Sequence, residues 1–327
     1  MKISTPEKHG LDSKILIKSD DAIREDLPSV LSFMVVRHGR IIYEKYYHGN
    51  SKDSLVVVYS ITKSVISALT GIALREHFLS SVGQKLSDIF PEYVTNVADP
   101  RKKEITLENL LSMTGGLASC DNTFEAWTRS TDWFEYTINQ PMLHDPGKKF
   151  DYNTGLTHLL SGILTKTTGM ATKAFADKFL FGPLGITNYT WERDPLGYYT
   201  GGFGLRLTPR DMAKFGYLYL MDGIYNNRQI VPQQWVKESF SIHSYPEKVF
   251  GYGYLWWLEK LKDTIYYREY GSFNAIGYGG QFIFIVPELD MITVTTCKEE
   301  NPEDTPEYDA IKHLINDYVL PAVKLEG

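Results

Sequence analysis

Apolar residues Ile61, Val65, Ile66, Leu69, Ile72 and Ala73 recur at steps of three and four, a period that predicts a helix with one buried stripe starting at or near Ser60. Leu11–Glu25 also carries helical spacing, through Ile15, Leu16 and Ile23. Ser32–Arg37 and Ile41–Tyr47 are instead β-branched and aromatic and flank His38-Gly39, which is the pattern of a hairpin. Beyond the long helix come short helical pieces broken by Pro and Gly: Leu86–Phe90, Leu107–Met113 behind a Thr106 cap, Trp133–Ile138, and Leu156–Thr168 stopped by Gly169. The character shifts at Gly201-Gly202-Phe203-Gly204. Thr208-Pro209 begins an amphipathic helix to Met221, with proline in the first turn where a missing N–H costs nothing, and Pro232 begins another to Phe240. Aromatic and β-branched runs then predict strands at Tyr252–Leu258, Ile265–Tyr270, Gln281–Val286 and Met291–Thr296, and Thr305-Pro306 opens a last helix to Val319.

A hairpin at one end and a run of strands at the other are each too small for a sizeable sheet. One antiparallel sheet built from both chain ends, covered by helices, with the helical stretch inserted as a lobe, accommodates the whole pattern. The expected domains are an α/β sheet domain from residues 1–62 and 203–327 and an all-α helical domain from 63–202, with a cleft at their junction and Ser60 near the crossing point. Length agrees, since 327 residues exceed what one hydrophobic core usually serves. With 43% hydrophobic and 13% aromatic residues, the composition excludes a disordered chain. The formal charge of −6 is modest and interspersed, which excludes a nucleic-acid footprint. Met1–Glu7 lacks the apolar run of a secretory signal and no stretch has the length of a membrane span, so a cytoplasmic protein is expected unless a signal has been removed. Cys120 and Cys297 stand far apart without His or Cys at ligand spacing, so free thiols are expected rather than a zinc site or a disulfide, and no metal or cofactor is implied.

Three segments carry candidate chemistry. Ser60 and Lys63 are three apart and fall one turn apart on one helix face, which sets a hydroxyl beside an amine. The helix N-terminus favours an anion forming at Ser60, and a Lys among apolar walls loses proton affinity and can act as a base. Ser60 is equally suited to be a helix N-cap, but Ser-x-x-Lys occurs nowhere else in the chain and here opens an apolar helix. The second segment, Phe150-Asp151-Tyr152-Asn153-Thr154-Gly155, precedes a helix after the turn Asp145-Pro146-Gly147. In the third, Gly277-Tyr278-Gly279-Gly280-Gln281 runs into the strand Phe282–Val286. Glycines there let a substrate lie against exposed backbone N–H groups, and the same spacing suits a glycine bulge turning a hairpin.

In that order the segments resemble the penicillin-recognising serine hydrolases, whose motif set runs from Ser-x-x-Lys through a Tyr or Ser motif to a Lys-Thr-Gly-like strand. Leu110–Leu117 and Leu207–Gly216 also read like segments of that family, so the resemblance covers nearly the whole chain. It implies a β-lactamase/transpeptidase-like fold, α/β plus all-α. It assigns Ser60 as nucleophile, Lys63 and Tyr152 to acid and base duties, and the backbone N–H groups of Ser60 and Gln281 to the oxyanion hole. A phenol near a Lys ammonium has its pKa lowered and can relay a proton. The family's Tyr-x-Asn departs here to Tyr152-Asn153-Thr154, so a substrate contact from Asn153 rests on a shifted motif. Tyr278-Gly279-Gly280 stands where Lys-Thr-Gly would, and loss of that cation weakens recognition of a substrate carboxylate. The pattern is therefore closer to the esterase and nylon-oligomer-hydrolase branch, related to class C β-lactamases.

The expected activity is that of a cofactor-independent carboxylesterase or amidase with weak β-lactamase activity, taking small ester, amide or lactam substrates. A β-lactamase or D-alanyl-D-alanine carboxypeptidase-like penicillin-binding protein is the nearest alternative, and a catalytically silent binding module the third. No Gly-x-Ser-x-Gly elbow, His-Glu-x-x-His or Walker loop is present. His158 among Leu159 and Leu160 reads as a packed or surface residue rather than a triad base, and core packing is expected for most of Trp127, Trp133, Trp256 and Trp257. No sequence pattern encodes the oligomeric state.

Overall fold

The computed structural model describes residues 1–247, 249–298 and 308–324. The chain divides into two compact units, Met1–Ile61 with Arg206–Met221 and Leu258–Gly327, and Thr62–Leu205 with Asp222–Trp257.

The first unit is built on a sheet whose strands run in the order Lys2–Ile3, Arg40–Tyr46, Val30–Arg37, Met291–Cys297, Gln281–Val286, Glu269–Gly277 and Trp257–Lys262. Met291–Cys297 pairs antiparallel with Val30–Arg37 on one side and with Gln281–Val286 on the other, which joins strands from the two chain ends. The hairpin turns at His38 and Gly39, with φ of 49° and 67°. Positive φ at both central residues is what a type I′ turn needs to match the twist of its strands. Lys2–Ile3 adds to the edge in parallel with Arg40–Tyr46, the one exception to the antiparallel pairing described.

Gln281–Val286 and Met291–Cys297 are buried at every position, so both sheet faces are covered. On one face Leu16, Ile23, Ile311, Leu314 and Val319 join Phe33, Val35, Phe282 and Phe284 in a single core. On the other lies the helix Pro209–Leu220, begun by a Thr208 cap that accepts the Asp211 N–H at 3.1 Å. A Cβ added at Gly216 would stand 2.7 Å from Ile283 Cγ2, so the missing side chain lets this helix sit down on the sheet.

The second unit is mainly helical. Ile61–Arg75 is buried all round from 61 to 73, more than the expected stripe, and Gly71 faces the Trp235 ring so closely that a Cβ would meet it at 2.3 Å. Thr154–Thr168 is buried from Thr154 to Leu164 and ends at Gly169 in the left-handed conformation. Leu107–Leu111 starts at a Thr106 capping box, and Trp133–Asn139 at Asp132. Residues 222–257, which the sequence pattern grouped with the sheet, cluster with the helices. Their anchors are Ser244 Oγ donating to Ser112 O at 2.7 Å, Leu255 N–H to Leu111 O at 3.0 Å, and Ser64 Oγ to Leu255 O at 2.8 Å.

Two expected strands differ. Ile265–Tyr267 form an exposed turn before the strand Glu269–Gly277, because the buried Asp263 carboxylate accepts the N–H groups of Ile265 and Tyr266 at 2.9 and 3.0 Å and pairs with Arg268. Tyr252–Leu258 is interrupted after Tyr252 and resumes at Trp257. Gly253 lies against Ser239 O, where a Cβ would be only 1.9 Å away, and Leu255 has φ 63°. Thr305-Pro306 falls outside the described residues, and the final helix is described from Tyr308. Among the described residues no helix is long and apolar enough to cross a membrane, and no cluster of His, Cys, Asp and Glu could hold a metal ion. Cys120 and Cys297 are buried free thiols.

Candidate active site

In the sheet unit, the short strand Val56–Val57 pairs with Leu207 and Arg206 and delivers the chain to Val58-Tyr59-Ser60. Ile61 N–H donates to Val58 O at 3.1 Å, so residues 58–61 close a tight turn with Ser60 directly before the first helical residue. Tyr59 has φ 45°, a conformation that strains a bulky side chain by about 1–3 kcal/mol and that clusters at functional sites. Its ring meets Tyr278 edge-on at 5.7 Å. Gly277 approaches Val58 O so closely that a Cβ would lie 2.3 Å from it. The glycine segment and the Ser60 turn are therefore neighbours, and Gly277 is there for backbone contact.

Gly279 and Gly280 carry φ of 74° and 91° and turn the hairpin between Glu269–Gly277 and Gln281–Val286. Tyr278 is 53% exposed. Gln281 is fully buried. Its side chain spans the Cys297 peptide, donating to Cys297 O at 2.9 Å and accepting from Cys297 N–H at 3.1 Å. The side chain is thereby committed to the fold.

In the helical unit, Lys63 is 2% exposed and donates from Nζ to Gly202 O at 2.9 Å. Burial pulls its pKa down to about 7, against the attraction of the Asp121 carboxylate, which raises it. Its Nζ lies 4.9 Å from the centre of the Tyr152 ring. Tyr152 is half-buried, stacks on Trp257 at 5.7 Å, and accepts from Ser119 Oγ at 2.6 Å through its carbonyl. An amine with a pKa near neutrality beside a phenol can take and return protons at physiological pH.

Asn153 is used structurally. Fully buried, it accepts the N–H of Gly155 at 3.0 Å and of Cys120 at 3.2 Å and donates to Ala118 O at 3.2 Å, capping the helix behind Tyr152. The expectation of a substrate contact from this amide is thus replaced by a cap, consistent with its displacement by one position from the family motif. Asn153→Ala is expected to lower stability by about 2–4 kcal/mol, since two buried N–H donors lose their acceptor. Denaturant unfolding measures this; a raised KM at unchanged stability would instead return the residue to substrate binding.

Two residues were not picked out from sequence. Gly202 supplies the carbonyl for Lys63, and a Cβ there would meet Thr154 Cγ2 at 2.4 Å and Lys63 Nζ at 3.2 Å. The glycine-rich run 201–204 was visible, but its partner was not. Asp121 binds Thr154 N–H and Oγ1, each at 2.6 Å, tying the Tyr152 loop to the segment before it. His158 is a buried core residue, not a triad base, with Nε2 2.9 Å from Asp194 Oδ2. Trp127 and Trp133 pack with Cys120, Trp256 is fully buried, and Trp257 flanks Tyr152.

The beta-lactamase family model matches residues 20–316. The 6-aminohexanoate-dimer hydrolase of Paenarthrobacter ureafaciens is 23% identical over 298 residues, 83% of this chain and 73% of its own. Among solved structures, a Bacillus anthracis protein provisionally named a 6-aminohexanoate-dimer hydrolase superposes with a TM-score of 0.76 at 20% identity, over 92% of this chain and 80% of its own. EstCE1, a hydrolase with promiscuous acyltransferase activity, has a TM-score of 0.72 at 15% identity, over 93% of this chain and 98% of its own. The fold is that of the β-lactamase/transpeptidase group, and the chain belongs to the beta-lactamase family of serine-type hydrolases.

Proposed function

We propose that this hydrolase works through an acyl-enzyme on Ser60 and is a carboxylesterase or amidase with weak β-lactamase activity. The observation that carries the reading is Lys63: a buried amine with a pKa near 7, three residues after a serine that opens a helix, and 4.9 Å from a tyrosine ring. Ser60 Oγ attacks the carbonyl carbon while Lys63 and Tyr152, titrating as a coupled pair, take its proton. The Ser60 and Gln281 N–H groups hold the oxyanion, the pair returns the proton to the leaving group, and water then releases the acid. Tyr278, in place of a cation, disfavours substrates anchored by a carboxylate.

The test is turnover of short-chain p-nitrophenyl esters, with intact-mass detection of an acyl adduct mapped to Ser60. The 6-aminohexanoate dimer serves as the amide arm, since a relative is named for it. Stable labelling by a fluorescent penicillin would move the reading to the penicillin-binding alternative. Absence of any Ser60 adduct with esters, β-lactams and fluorophosphonates alike would leave a binding module.

A further inference from the structure

Lys63 donates to the carbonyl of Gly202, so whatever fixes residues 201–202 fixes the amine. That strap lies directly on the helix Thr154–Thr168: a Cβ at Gly201 would stand 1.9 Å from Thr157 O, and one at Gly202 2.8 Å from Thr157 Oγ1. Ser161 Oγ donates to Tyr199 O at 2.6 Å and Trp191 Nε1 to Thr200 O at 2.8 Å, holding the strap upstream. At Gly201 itself the support is His158. The Gly201 N–H donates to His158 Nδ1 at 3.4 Å. A backbone N–H can only donate, so Nδ1 is the acceptor and the ring proton sits on Nε2, which donates to Asp194 Oδ2 at 2.9 Å. The other carboxylate oxygen of Asp194 accepts the Tyr198 N–H at 2.8 Å. The imidazole has no freedom to turn, stacked on Phe134 at 4.7 Å and packed by Trp133 and Trp127.

We infer that His158 and Asp194 are a positioning pair for the hydrolytic reaction: by fixing the imidazole tautomer they hold Gly201-Gly202, and through the Gly202 carbonyl they place the Lys63 amine. Burial lowers the His158 pKa and keeps the ring neutral, as the acceptor role of Nδ1 requires. Among the groups facing Lys63 itself are Asp121 and Tyr152. The pair touches neither, so it acts only through the strap. This inference rests on the proposed role of Lys63.

The experiment uses the full chain with His158→Phe, Asp194→Asn and His158→Gln. Phe keeps the ring stack and removes both nitrogens. In Asp194→Asn the amide oxygen is kept by the Tyr198 N–H, so the new NH₂ faces Nε2 and drives the ring proton to Nδ1, against Gly201. Gln restores one donor and one acceptor. Single-turnover acylation by a p-nitrophenyl ester is expected to fall about 10- to 100-fold in His158→Phe and Asp194→Asn with KM within about twofold, the cost of a misplaced base. The pH of half-maximal acylation falls, because an ammonium that stays buried and loses the carbonyl accepting its proton gives that proton up more readily. Gln recovers part of both. Should His158→Phe not fold, Asp194→Asn carries the same test. Folded variants that acylate at the parental rate with an unmoved pH midpoint overturn the inference. Titration of Lys63 followed by ¹⁵N NMR must shift the same way, and it remains readable if no ester proves to be a substrate. Loss of the hydrolase reading is thereby distinguished from loss of this one.

Discussion

Ser60→Ala is expected to reduce ester turnover roughly 10³- to 10⁶-fold and to abolish the acyl adduct, the range seen when a covalent nucleophile is removed and only oriented binding remains. The substitution deletes one oxygen from a half-buried side chain at the turn before Ile61–Arg75. The turn itself is held by the Ile61 N–H to Val58 O contact and by the Tyr59–Tyr278 ring pair, neither of which uses that oxygen. Stability is expected to fall by no more than about 2 kcal/mol, the upper cost of a lost N-cap. The measurement is kcat/KM with a short-chain p-nitrophenyl ester beside a denaturant melt of each protein. A variant that keeps a tenth or more of the parental turnover while folded would place the nucleophile elsewhere. Equal loss of stability and activity would instead make Ser60 a cap alone.

Local physics makes some of this molecule legible in its sequence. His38-Gly39 between two β-branched runs marked a hairpin, and a turn with positive φ at both residues stands there. Thr106 and Thr208 announced helices because a hydroxyl before an apolar period satisfies end N–H groups whatever the tertiary setting. Where a distant partner decides, the pattern was silent or misleading. Ile265-Tyr266-Tyr267 has the composition of a strand, but a buried Asp263 takes its amides and turns it. Asn153 looked like a ligand contact because it stands in a motif, and its use as a cap depends on Ala118 and Cys120, more than thirty residues earlier. The same holds for Lys63. Its place in Ser-x-x-Lys was legible, but the features that tune it, the Gly202 carbonyl 139 residues away and the Asp121 carboxylate, are products of folding. A motif names the reactive atom, and the fold around it sets the pKa.

That setting gives the second large effect. Lys63→Met, which fills nearly the same buried volume without an amine, is expected to lower kcat about 10²- to 10⁴-fold, the usual contribution of a positioned base. In the parent, kcat/KM rises with pH through a midpoint near 7 as the ammonium loses its proton; in the variant the residual rate is flat across that window. Stability separates this role from packing. The folded-state pKa of Lys63 lies below its unfolded value of 10.5, so between about 7 and 10.5 the unfolded chain binds the extra proton and parental stability rises with pH. Below 7 both states are protonated and the full cost of burying the charge, on the order of a few kcal/mol, is present. Methionine removes that cost but leaves the Gly202 carbonyl without its donor, a loss of about 1–3 kcal/mol. Lys63→Met is thus expected to be at least as stable as the parent at pH 6, with the advantage shrinking as pH rises toward 10. Unfolding at pH 6 and pH 9 with each protein decides the matter: a variant that is inactive and also several kcal/mol less stable at pH 6 would show Lys63 to be structural. An inactive variant that melts later than the parent fits a base kept in a costly environment because its chemistry requires it.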